Sequence, residues 1–320
     1  MLKVYHTVDD HVSVREQPSE KGSWLCLINP TEEEIQSVSR HTGITYDFLK
    51  DPLDDEERPR IEIEPGQILI IIKVPVARGK EEAEFYDTIP LGIIVTKDNL
   101  VTVCLDDHPI FAQMLKEPVL YTFKKTRFLL LVLIKTATLY LNYLRILDVR
   151  STELQQRLSH TMKNEALFQL LDVQKSLVYF TTSLRANGIV MEKLTRTQLV
   201  KAKEAPASML IKMYPEDEDL LEDAITENRQ AMEMSSIYSS ILTGSMDAYA
   251  AIISNNMNIV MKFLTSVTIV LSLPTIIASI YGMNVGLPFQ HSPFAFAGIM
   301  GVTLGLGGVV AYSLYRWNMF

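Results

Sequence analysis

The chain has 320 residues, 48% hydrophobic and 21% charged, with 38 Asp and Glu against 30 Lys and Arg. That acidic balance excludes a nucleic-acid binder, which needs a basic face to engage phosphates, and suits a surface that meets cations. The charge is unevenly placed: residues 263–315 hold no Asp, Glu, Lys or Arg, so every carboxylate and 29 of the 30 basic residues lie in 1–262. Cys26 and Cys104 sit in apolar, strand-like surroundings without CxxC or Cys/His spacing, so they read as reduced core residues rather than a disulfide or zinc framework.

In chain order, alternating and β-branched runs predict strands over 2–8, 23–28, 60–64, 67–76, 84–96 and 100–105. Thr31 followed by Glu34 is a capping box for a helix through about His41, and a short helix is expected over 46–50. From Pro109 onward helical periodicity takes over, with helices predicted at about 119–160, 163–187 and 190–204 and a last one from Pro215. The apolar stretch FLLLVLI at 128–134 is only seven residues before Lys135 and is assigned to a buried helix. The order is α/β first, then all-helical.

The last helix is the unusual one. Between Pro215 and Pro274 the only breaker is Gly244, so a continuous helix over 216–280 would hold some 65 residues and extend roughly 100 Å. Its first part is acidic, with Glu216, Asp217, Glu218, Asp219, Glu222, Asp223, Glu227 and Glu233 against the single Arg229. Its continuation over 234–261 carries one charge, Asp247. A helix so poor in charge needs partner helices, which are most simply copies of itself, so a symmetric homo-oligomer around this helix is expected.

The charge-free stretch is long enough for two membrane spans of about 20 residues each, at 263–281 and 294–315, joined by the Gly- and Pro-rich GMNVGLPFQHSP. The start, MLKVYHTVDDHV, lacks the features of a signal peptide. Lys262 before the first span and Arg316 after the second, with no Lys or Arg between, place both termini in the cytoplasm by the positive-inside rule. The expected organisation is a cytoplasmic α/β domain at 1–118, a cytoplasmic helical region at 119–214 and a stalk helix with the first span at 215–281. An external loop at 282–293, a second span at 294–315 and a cytoplasmic tail at 316–320 complete it.

Along the first span Thr268, Ser272, Thr275 and Ser279 recur at spacings of 4, 3 and 4, which puts them on one helical face. Continued upward, the face reaches Leu264 or Thr265, Met261 and Asn258; continued downward, it reaches Asn284 in the loop. Two readings stay open at this point: small hydroxyl residues that let membrane helices approach, or a water-accessible lining for an ion. An uncharged lining of amide, hydroxyl and carbonyl oxygens suits Mg²⁺, which gives up its water shell reluctantly.

Tyr281-Gly282-Met283-Asn284, placed between two C-terminal spans, resembles the signature of the CorA family of magnesium/cobalt transporters. The segment 49–62 (LKDPLDDEERPRIE) and the segment 258–265 (NIVMKFLT) are similar to further stretches of that family, so the likeness extends over nearly the whole chain. The resemblance implies a funnel-shaped homopentamer in the cell membrane, with its α/β domain and stalk helix in the cytoplasm and the first span lining the pore. It implies that Gly282, Met283 and Asn284 form the selectivity mouth. Asn258, Met261, Leu264, Thr268, Ser272, Thr275 and Ser279 would face the pore, Met261 and Leu264 forming its narrow apolar constriction. It further implies regulatory metal sites between subunits, with Asp51 and Asp223 as ligands and Asp247 as a further carboxylate near the pore entrance. The bland alternatives are that Asp51 simply precedes a turn at Pro52 and that Asp223 is one more solvated charge. Asp54, Asp55, Glu56 and Glu57 are assigned to a solvated loop, and the lone His291 to an interfacial polar residue.

The sequence departs from the family pattern in two places. The loop VGLPFQHSP has no carboxylate and the C terminus, YRWNMF, has no lysine run. The expected activity is membrane-potential-driven influx of Mg²⁺, with Co²⁺ or Ni²⁺ as further cargo, gated by intracellular Mg²⁺, with no organic cofactor. A Zn²⁺ transporter of the same superfamily and a non-conducting cation sensor are the alternatives. No enzyme is expected, since no phosphate-cradling Gly loop, nucleophile elbow or carboxylate–His pairing appears.

Overall fold

The computed structural model describes residues 1–8, 11–15, 21–79, 85–117, 120–161, 164–199, 210–288, 293–317 and 319. The chain divides into two compact units, Met1–Thr243 and Gly244–Phe320.

The first unit is built on a seven-stranded sheet: β1 (Leu2–Val8), β2 (His11–Arg15), β3 (Trp24–Ile28), β4 (Arg60–Glu64), β5 (Gln67–Arg78), β6 (Phe85–Thr96) and β7 (Leu100–Cys104). The spatial order is β2-β1-β3-β7-β6-β5-β4, antiparallel throughout except for the parallel pair β3–β7. The period of two along β5 sorts its side chains: Ile68, Ile70 and Ile72 enter one core and Leu69 and Ile71 the other, as pleating requires. The second of these cores is closed by α1 (Glu32–Thr42) and α2 (Tyr46–Lys50) through Ile35, Val38, Phe48 and Leu49. The first is closed by α3 (Pro109–Leu115), α4 (Lys125–Thr161), α5 (Asn164–Leu199) and the start of α6 (Pro215–Tyr281). Trp24 is fully buried there, stacked on Tyr5 at 4.7 Å, with its indole N–H donated to the Thr102 hydroxyl at 2.9 Å.

The capping box at Thr31 is present, with both reciprocal hydrogen bonds to Glu34. The stretch FLLLVLI lies inside α4, where Phe128, Leu129, Leu130 and Leu133 are core residues. Three helices are long and apolar enough to cross a membrane; 56% of the apolar window of α4 is buried inside the protein, against 6% for those of α6 and α7 (Ala295–Arg316).

Three expectations need correction. Strand β2 and helix α3 have no counterpart in the predicted elements: each is short, at 5 and 7 residues, too short for a periodic signal. The helix predicted to break between 187 and 190 is continuous as α5. Gly188 is there for close approach, since a Cβ at this position would stand 3.3 Å from the Asn228 side-chain nitrogen on α6. The end of that expected helix, 200–204, lies outside the described residues.

In its first unit, α6 buries Leu221, Ala224, Asn228, Ala231, Ser235 and Leu242. This 3–4 spacing is a coiled-coil-like seam, and its partners are α4 and α5 of the same chain. Asn228 donates to Leu184 O at 2.9 Å, Ser235 to Leu177 O at 2.9 Å, and Thr138 on α4 to Glu227 at 2.7 Å. The expectation that the partners of 234–261 are copies of itself is therefore confined to the part beyond Thr243, where residues 250–265 are all exposed.

Candidate functional site

Beyond Thr243 the sequence of α6 turns apolar and its charge falls away, so the local chemistry is that of hydroxyls and backbone. Two faces can be distinguished. Ser266 is buried and donates to Met319 O at 3.0 Å, just past α7. Val270, Leu273 and Ile277 follow on the same face, each half-buried, and Ile277 lines, with Gly298, Ile299 and Val302 of α7, a cavity of about 610 Å³. Thr268, Ser272, Thr275 and Ser279 each lie two residues further along, about 200° around the axis at 3.6 residues per turn. All four are exposed, as are Asn258, Met261 and Leu264. The predicted stripe is thus one face, turned away from α7.

Three of its four hydroxyls are already committed as donors. Thr268 donates to Leu264 O at 2.8 Å, Ser272 to Ile269 O at 2.8 Å and Thr275 to Leu271 O at 3.1 Å. A Ser or Thr hydroxyl has one proton and two lone pairs, so with its proton bound to the helix it offers only acceptors outward. Pro274 lies inside the helix and removes one N–H, leaving the Val270 carbonyl without its usual intrahelical donor.

The helix stops at the signature. Gly282 N–H donates to Ala278 O at 2.9 Å and Met283 N–H to Ile280 O at 3.3 Å, a tightened last turn. A Cβ on Gly282 would stand 3.2 Å from the Ala278 carbonyl oxygen, so the bare backbone is what allows that turn. Met283 and Asn284 follow, both exposed, and among the described residues the Asn284 carboxamide has no hydrogen-bond partner. His291 lies outside the described residues.

The candidate metal carboxylates are not gathered within the chain. Among the described residues no group of three or more His, Cys, Asp or Glu could hold a metal. Asp51 opens a 3-10 turn (Asp51–Leu53) and is bound to Arg60 at 2.6 Å. Burial pushes its carboxyl upward, opposed by the Arg60 guanidinium. Arg60 also holds Glu57 and, at 3.2 Å, Glu62, so Glu57 belongs to an ion-pair network and not to the solvated loop expected for it. The turn is fixed by Pro52, buried over Gly92 of β6, where a Cβ would fall 2.2 Å from Pro52 Cγ. Asp223 and Asp247 are exposed on α6, one in each unit. The Arg60 network is what the sequence reading missed; the pairing spans a turn, and only the acidic residues on either side of Arg58 and Arg60 hint at it.

Comparison with known proteins bears on this arrangement. The sequence profile of the CorA-like Mg²⁺ transporter protein matches residues 19–316. The chain belongs to the CorA family. It is 30% identical over 303 residues to the cobalt/magnesium transport protein CorA of Methanocaldococcus jannaschii, covering 92% of this chain and 90% of that protein. To the Thermotoga maritima cobalt/magnesium transport protein CorA it is 24% identical over 300 residues, covering 91% and 80%. The complete structure of the CorA magnesium transporter from Methanocaldococcus jannaschii superimposes with a TM-score of 0.81 at 27% identity, over 99% of this chain and 98% of that one. Full-length CmaX matches with a TM-score of 0.69 at 15% identity, over 100% and 97%, which shows the fold alone. The α/β unit followed by long helices, with α6 running into the apolar segment, is therefore the CorA fold, and the family is one of membrane transporters.

Proposed function

We propose that this chain mediates influx of Mg²⁺, with Co²⁺ or Ni²⁺ as further cargo, across the cell membrane as a homo-oligomer, a pentamer by family likeness. In this reading the second half of α6 (263–281) and α7 span the bilayer, and 282–293 is the external loop. The α/β part (1–118), the helical region (119–214), the stalk from Pro215 and the tail (316–320) are cytoplasmic, and the assembly is funnel-shaped. The observation that carries it is the hydroxyl stripe facing away from α7. In one chain it is uncovered, and copies arranged around an axis would turn it inward as a continuous lining leading to Asn284.

Hydrated Mg²⁺ would meet Gly282, Met283 and Asn284 first. The waters of its shell donate hydrogen bonds, and the lining at Thr268, Ser272, Thr275, Ser279 and Asn258 supplies acceptors without the full charges that would hold a divalent ion too tightly. Met261 and Leu264 supply an apolar constriction that closes by excluding water. Inward movement of two charges is driven by roughly 4.6 kcal/mol per 100 mV of membrane potential, from about 2.3 kcal/mol per charge. On the cytoplasmic side Asp51, Asp223 and Asp247 are single carboxylates in one chain; copies bring several together. Mg²⁺ bridging them would favour the closed state, which is feedback inhibition.

The test is Mg²⁺ uptake by liposomes carrying the purified oligomer, wild type beside Asn284→Ala. Loss of uptake in the variant is expected. Absence of Mg²⁺ uptake by intact wild-type oligomers overturns the proposal, and Zn²⁺ uptake in the same vesicles would reassign the cargo.

A further inference from the structure

A second cleft, of about 690 Å³, opens in the first unit between the start of α4 and the segment that leads into α6. Its walls carry four cations, Lys124, Lys125, Arg127 and Lys212, and the exposed rings of Phe123 and Tyr214. In a chain of net charge −8 this is a local reversal of sign. The two sides are tied together by Thr126, which donates to Lys212 O at 2.9 Å, so the cations of both are held at one opening.

The carboxylates nearby do not consume that charge. Asp217 is buried and accepts from Tyr214 N–H at 3.1 Å while its own N–H bonds Tyr214 O at 2.9 Å, so it is spent on capping α6. Glu216 pairs with Arg127 at 3.7 Å but is 86% exposed, where such a pair is worth little. Lys125 is committed to the Thr96 and Lys97 carbonyls. Lys124 stands 4.1 Å over the Tyr121 ring and Lys212 5.4 Å over the Tyr214 ring. Among the described residues neither of these two ammonium groups has a carboxylate partner.

We propose that this cleft binds a nucleoside polyphosphate, with its phosphates on Lys124, Arg127 and Lys212 and its base against Phe123 and Tyr214. The volume falls in the range of small-molecule sites, about 300–1,000 Å³. Lys and Arg are the usual phosphate donors, and an aromatic face stacks a base regardless of its identity. The first turn of α4, which holds no acidic residue, adds the positive end of that helix to the same opening, whereas that of α6 is offset by Glu216, Asp217 and Glu218. This goes beyond the transport reading and does not depend on it, because the readout is binding.

Equilibrium dialysis of labelled ATP against the full-length oligomer, with EDTA to remove Mg²⁺, tests the assignment. Saturable binding is expected, weakened about tenfold or more in the double variant Lys124→Gln/Lys212→Gln, which removes about 1.4 kcal/mol or more. Lys124→Arg/Lys212→Arg should retain it, and Phe123→Ala should weaken ATP more than inorganic triphosphate. All three positions altered are exposed, so folding is not at stake. No saturable binding by the wild type up to about 10 mM ATP, or binding unchanged in the double Gln variant, overturns the proposal. Equal affinity for ATP and inorganic triphosphate overturns the nucleoside part of it.

Discussion

The carboxamide of Asn187 on α5 accepts from Lys73 N–H at 2.9 Å and donates to Lys73 O at 2.8 Å, the pair of bonds that a residue on a neighbouring strand makes. β4 pairs with β5 only as far as Arg60–Ile71, so that strand does not reach Lys73, whose N–H and C=O point to one edge. A helix side chain therefore completes the sheet two residues beyond the end of β4, and Tyr140 adds a second donor to the same carbonyl at 3.0 Å. Asn187→Ala leaves a half-buried backbone N–H unsatisfied and is expected to cost about 1–3 kcal/mol, read as a lowered unfolding midpoint. His108 acts similarly at α3: its Nδ1 accepts from Ile110 N–H at 3.2 Å and its Nε2 donates to Pro75 O at 2.8 Å. Burial lowers its pKa below the ordinary 6.5. As pH falls below about 6.5 the unfolded chain takes up a proton that the folded chain refuses, so stability drops with pH there. His108→Asn, which keeps a capping acceptor and does not titrate, should flatten the dependence of Tm between pH 7.5 and 5.5. Burial pushes both Cys26 and Cys104 thiols up to about 12, so iodoacetamide should label them only in denaturant.

At the scale of elements, what could be read from the sequence was what repeats. The Ile and Leu alternation of β5 and the Thr31–Glu34 pair fall where expected, because period and capping are local. Lost were contacts made at a distance. Gly188 looks like a helix breaker in isolation and proves to be a place where α6 comes close, and Gly92 looks like a weak point in β6 and is the seat of Pro52. Gly92→Ala should displace the Asp51 turn and cost about 1–3 kcal/mol through overpacking, read as a lowered Tm. For the candidate site, the stripe at 268, 272, 275 and 279 was legible by spacing alone. The partner of Asp51 was not, since Arg60, which also holds Glu57, meets it only once the chain turns at Pro52.

For the whole molecule, the separation is between a first unit with two cores and a second that leaves its apolar surface open, with Met257, Leu271 and Phe296 among the exposed side chains. That division fits a protein completed by bilayer and by copies of itself, as proposed above. Regulation then belongs to the assembly. Under the proposed role of Asp51, Arg60 already occupies its carboxylate, and entering Mg²⁺ must compete with the guanidinium. Arg60→Gln should make liposome uptake shut off at lower Mg²⁺ on the cytoplasmic side, and Asp51→Asn/Asp223→Asn should leave it open at concentrations that close the wild type. A shift of Arg60→Gln toward higher Mg²⁺ would remove Asp51 from the ligand set. The hydroxyls bonded back to α6 carry one more consequence. Water around a cation points its hydrogens outward, and water around an anion points its oxygens outward. In the lining proposed above, Thr268, Ser272 and Thr275 would therefore tell the sign of an ion through the orientation of the water it brings and disfavour chloride without a fixed charge, a discrimination in which the carboxamides of Asn258 and Asn284, which can also donate, take no part.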